Sequence, residues 1–109
     1  MSCLLIKDLR NCPTPKSAVL EADFIMMTEY VKGEHKVIKF LHNSDRVSLL
    51  VRRQIRVRKR EGKVNFLIAG EKFKVNETIT EFLLNRYPEE ANDEDLGKQN
   101  KDITIVGLF

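Results

Sequence analysis

The longest regular pattern in this sequence lies between Arg46 and Arg58. Val47, Leu49, Val51, Ile55 and Val57 share one parity, interrupted only by Arg53. Arg46, Ser48, Leu50, Arg52, Gln54, Arg56 and Arg58 fill the other. Period-two alternation sustained over this length predicts a long half-buried strand. Glu61-Gly62 supplies a turn, and Val64, Phe66 and Ile68 alternate beyond it, so the stretch reads as a hairpin.

Shorter patterns flank it. Leu4 to Leu9 reads as a short strand or extended lead-in, and Asn11-Cys12-Pro13-Thr14-Pro15 breaks regular structure. Thr14 followed by Pro15 is a helix start, a hydroxyl cap with proline at the first helical position, leading a short helix through Lys16, Ala18, Val19 and Leu20. In the run Ala22 to Val31, Phe24-Ile25-Met26-Met27 is apolar on both faces, as in a central strand covered on both sides. Lys32-Gly33-Glu34 and His42 to Asp45 carry turn residues around a strand from Lys36 to Leu41. Phe73 to Val75 reads as a further short strand. Thr78-Ile79-Thr80-Glu81 fits a capping box, followed by Phe82, Leu83 and Tyr87 on one helical face until Pro88 stops the helix. Glu89 to Asp102 reads as a charged loop, and Ile103 to Phe109 as a last strand. The expected architecture is an α+β single domain over residues 1–109, with a central antiparallel sheet flanked by two helices.

Composition narrows the class. In 109 residues, 42% are apolar and 32% charged, the balance of one folded domain. No apolar run approaches a membrane span, and the first ten residues lack a secretory pattern. Cys3 and Cys12 are too few for a disulfide framework, so a cytoplasmic or nuclear setting is expected. Charge is segregated: Arg46 to Lys63 holds eight basic residues against Glu61, whereas Pro88 to Asp102 holds six acids against Lys98 and Lys101. Such asymmetry steers an anionic partner toward one face, or reflects two solvated segments.

Catalytic chemistry is not evident. His35 and His42 lie in polar, turn-like sequence without a metal-ligand spacing, and the five glycines form no phosphate loop. Neither an enzyme, a cofactor nor a metal site is expected. Asn76-Glu77-Thr78 matches a glycosylation acceptor but reads as a helix cap. The remaining signal is the arginine face. Side chains two apart on a strand repeat at about 7 Å, so Arg52, Arg56 and Arg58 would line a surface suited to oxyanions. The competing explanation is an edge strand kept soluble by its charge.

The order of elements resembles the Src homology 2 family over Pro13 to Tyr87. The family's buried strand Gly-x-Phe-Leu-Val-Arg corresponds to Ala22-Asp23-Phe24-Ile25-Met26-Met27, and its second helix to Ile79 through Tyr87. Lys16 lies near the first-helix position where that family often places a phosphate-contacting arginine. Met27 stands where the phosphotyrosine-binding arginine belongs, and a thioether forms no charge-assisted pair with phosphate. The resemblance therefore implies a divergent interaction module binding peptide or phosphopeptide, and with the basic stretch the candidate ligand-binding residues are Lys16, Arg46, Arg52, Arg53, Arg56 and Arg58. Two alternatives stand beside it. One is an oligonucleotide-binding barrel with a basic groove for single-stranded nucleic acid. The other is a structural subunit of a protein complex. No membrane partner is expected.

Overall fold

A computed structural model describes residues 4–108. Strand β1 (Leu4–Asp8) leads into helix α1 (Pro15–Lys32), β2 (Val37–Leu41), helix α2 (Asp45–Arg60) and β3 (Phe66–Ala69). A 3-10 turn at Gly70–Lys72 precedes α3 (Thr78–Arg86), a second such turn at Pro88–Asn92, and β4 (Ile103–Gly107). The sheet order is β1-β2-β4-β3. β1 and β2 run parallel, with Leu4 beside Val37, whereas β4 is antiparallel to both β2 and β3. The protein is thus α+β as expected, but its sheet is mixed and its helices number three among the described residues.

The largest departures are two segments expected as strands, one central and one half-buried. Ala22 to Val31 belongs to α1, an 18-residue helix opened by a reciprocal cap: Thr14 Oγ1 accepts from the Ser17 amide, and Ser17 Oγ accepts from the Thr14 amide. It closes at Gly33, whose positive φ of 71° lets its amide donate back to the Glu29 carbonyl. Ala18, Ala22, Ile25, Met26 and Glu29 form its buried stripe, at helical spacing. A helix between β1 and β2 is what a parallel pair requires, since a tight turn cannot return the chain in the same direction.

The second departure is Arg46 to Arg58, which is helical. Its buried positions are Ser48, Val51, Arg52 and Ile55, a helical stripe, while Leu49 is 62% exposed although strand parity would bury it. Val47, Val51 and Ile55 satisfy both periods, being even in number apart and also one helical turn apart. Asp45, in the first turn, and Arg58, Lys59 and Arg60, in the last, complement the helix dipole. No hairpin forms, and β3 pairs with β4 instead. Phe73 to Val75 is likewise not a strand, and Thr78 is the first residue of α3 rather than its cap. Strand β4 falls where the sequence placed it, with Phe109 outside the described residues.

Alternation along β2 and β4 divides the interior in two. Ile38, Phe40 and Val106 join Ala18, Ala22, Ile25 and Met26 of α1 and Val51 and Ile55 of α2. Val37, Ile103 and Ile105 join Phe66, Ile68, Phe73 and Leu83 in a second cluster that involves α3. Gly107 has no room for a side chain: a Cβ there would lie 2.0 Å from the Phe66 ring. Among the described residues no helix is long and apolar enough to cross a membrane.

Candidate functional site: a basic groove between the first two helices

Packing of α1 beside α2 leaves a groove of about 470 Å³ lined by Thr14, Pro15, Lys16, Val19, Arg46, Leu50, Arg53, Gln54 and Val57. The α2 contribution follows from helical geometry, because 46, 50, 53 and 57 recur on one side of a helix at intervals of four, three and four. Val19, Leu50 and Val57 are half-buried and make an apolar floor, while Lys16, Arg46 and Arg53 are exposed along its margin. These three cations make no ion pair or side-chain hydrogen bond among the described residues. The first turn of α1 holds no acidic residue, so the positive end of its dipole also faces this region unopposed.

The groove's width is fixed at the level of Asp23. Arg58 donates from Nε and Nη2 to the two carboxylate oxygens of Asp23, each at 2.7 Å, and from Nη1 to Glu61 at 2.9 Å. Gln54 Nε2 donates to the same Asp23 at 3.1 Å. The Arg58 hydrogen bond holds the Asp23 carboxyl below its usual range, and Asp23 in turn raises the Arg58 pKa. A two-pronged pair of this kind fixes orientation as well as distance. Arg58 therefore ties α1 to α2 and is not a free ligand-binding cation.

Arg52 is likewise committed inward. Its Nε donates to Thr104 Oγ1 at 2.9 Å, Nη2 to the carbonyls of Ile103 at 2.9 Å and Lys101 at 3.2 Å, and Nη2 to Glu71 at 3.0 Å. Arg56 is exposed but points away from the groove, toward a depression shared with Lys59, Phe66 and Ile79. Of the six site residues expected from sequence, Lys16, Arg46 and Arg53 come together, Arg52 and Arg58 are consumed structurally, and Arg56 stands apart. Val19, Leu50, Gln54 and Val57 were missed. A helical reading of 46–57 is the signal that finds them.

Two further clusters were not visible in sequence. His42, only 1% exposed, lies with Nε2 2.9 Å from Thr104 Oγ1, and its Nδ1 has no hydrogen-bond partner among the described residues. Burial, reinforced by the nearby Arg52 charge, pushes its pKa down to about 4, so the ring is neutral at pH 7. Near the other end of β2, Glu29, Glu34 and His35 converge, although His35 was read as lacking partners at metal spacing. The acidic segment does not fold over the basic helix. It lies against the opposite face of the sheet, where Asp93 and Asp95 pair with the buried Lys39 Nζ at 2.8 and 2.5 Å. Burial alone would lower the Lys39 pKa, yet the hydrogen bonds it donates to both aspartates raise it.

Against this geometry, comparison with protein-family models, curated proteins and solved structures finds no match.

Proposed function

We propose that this chain is a non-catalytic interaction module that holds an acidic, partly apolar peptide segment in the groove between α1 and α2. The observation that carries this reading is the placement of Lys16, Arg46 and Arg53, unpaired among the described residues, around the apolar floor of Val19, Leu50 and Val57. Unpaired cations on a rigid margin attract carboxylates or phosphates without first breaking internal pairs. The floor offers burial for aliphatic side chains between those charges. A nucleic-acid strand is favoured less, because no aromatic side chain lines the groove and base stacking would find no platform there. The proposed role is that of a peptide-binding module whose basic surface lies on a helix rather than a strand.

Fluorescence anisotropy with a labelled peptide alternating Glu and Leu, and with oligo-dT of matched charge, tests the reading. The peptide is expected to bind the native chain more tightly than oligo-dT. Arg46→Glu with Arg53→Glu is expected to weaken peptide binding at least tenfold, about 1.4 kcal/mol, with circular dichroism unchanged because both side chains are exposed. Unchanged affinity in that double variant would contradict the proposal. Preferential oligo-dT binding with a steep salt dependence would replace it with the nucleic-acid reading.

A further inference from the structure

We infer that Glu29, Glu34 and His35 form a binding site for a divalent cation of the zinc class. The three residues each offer one ligand atom, and those atoms all lie within 4.8 Å of one another. Zinc holds its nitrogen and oxygen ligands at about 2.0–2.2 Å, which separates ligand atoms by about 3.5 Å in a tetrahedron. To seat an ion the Glu29–His35 pair, 2.5 Å apart, would open by about 1 Å.

The site follows from the way α1 ends. Glu29 is on the last buried position of the helix stripe, and its carboxylate is held against the protein rather than swinging in solvent. Gly33, in its left-handed conformation, turns the chain back after the helix, and this reversal brings residues 34 and 35 to face Glu29. His35 then meets Glu29 through Nδ1, with 2.5 Å between Nδ1 and Oε1. A metal would sit between these two atoms, bound by Nδ1 of an imidazole that carries its proton on Nε2 and by two carboxylates. Their summed charge of about −2 balances a divalent ion, whereas a buried carboxylate without a compensating cation is costly. Glu34 is exposed, so the fourth position opens to water.

Ligand chemistry chooses the class of ion. Magnesium and calcium take oxygen-only sets, and an imidazole nitrogen with two carboxylates suits zinc and its neighbours. The site lies at the carboxyl end of α1, a helix of 18 residues and therefore about 27 Å long. The proposed peptide groove borders the opposite end of that helix. The two are separate, and a bound ion would act by fastening the end of α1 to the turn that enters β2.

Isothermal titration of the chelator-treated chain with zinc chloride tests the inference, with magnesium chloride as the contrast. One zinc ion per chain is expected, with magnesium at least a hundredfold weaker. Glu34→Gln and His35→Ala, both at partly or fully exposed positions, are expected to weaken zinc binding at least tenfold while leaving the circular dichroism spectrum unchanged. Binding is also expected to weaken as pH falls, because protons compete with the ion for its ligand atoms. Absence of zinc binding, equal affinity for magnesium, or zinc affinity unaltered by both substitutions would overturn the site and leave a plain histidine–carboxylate hydrogen bond.

Discussion

Phe24 and Phe40 both sit in apolar runs, yet they occupy opposite environments. Phe24 is 68% exposed on the outer side of α1, and Phe40 is fully buried under the two helices. Its apolar run places Phe24 in the core on sequence grounds, as its helical face does Phe82, and truncating a buried aromatic costs about 3–5 kcal/mol. With the helix in view, Phe24→Ala is expected to change stability by no more than about 0.5 kcal/mol, whereas Phe40→Ala should cost about 3–5 kcal/mol. Chemical denaturation of the two variants checks both. Phe82 is also exposed rather than core, although it packs edge-on to Phe66 with centroids 5.5 Å apart and lies beneath the Arg86 guanidinium. His42 provides a pH test. Its pKa of about 4 in the folded chain is below the ordinary histidine value near 6.5, so the unfolded chain binds the proton more tightly. Its contribution is therefore fully present above about pH 6.5, declines as pH falls toward 4, and levels off below that. The loss at the bottom of that window is about 3 kcal/mol. Denaturation midpoints measured across pH 7 to 4 should show this slope, and His42→Asn should flatten it. Apolar runs state that a residue can be buried but not on which side of which element, so the environments of Phe24 and His42 were illegible at this scale.

At the scale of elements, legibility divides between ends and interiors. Thr14-Pro15 marked the true start of α1 and Pro88 the end of α3, while Gly33, expected as a turn between strands, is the cap that ends α1. The interiors misled. In α1, exposed Leu20, Phe24 and Val31 outside the buried stripe blurred the helical period, and in α2 the valines and isoleucine were compatible with either period. The polar residues held the missing information: Ser48 and Arg52 are both buried, Arg52 because it meets Thr104 and backbone carbonyls, and a hydrophobicity pattern counts both as outward. Ser44 gives α2 an experimental signature that a strand would lack. Its Oγ accepts from the Val47 amide at 3.3 Å as the helix cap. Ser44→Ala is expected to cost about 1 kcal/mol, and Ser44→Asp close to nothing, because both serine and aspartate are strong caps. Thermal melts of the pair check it, and equal loss in both would argue against a capped helix beginning at Asp45.

At the scale of the whole molecule, the segregation of charge was legible and its consequence was not. The basic run faces one side through α2, while the acidic run after α3 is fastened to the other by Lys39. Two carboxylates on one buried ammonium leave both uncompensated if it is removed. Lys39→Ala is expected to destabilise the chain by about 3–5 kcal/mol, and limited proteolysis should then cut first between residues 88 and 102. The separation leaves the α1–α2 groove unobstructed by the chain's own acids, which is the condition for an outside acidic segment to enter it. Amide chemical-shift mapping during titration with the Glu/Leu peptide examines that condition most directly. Shifts concentrated at Lys16, Val19, Leu50, Arg53 and Gln54 are expected. Shifts confined to Arg56, Lys59 and Arg60, with the groove amides unmoved, would contradict it.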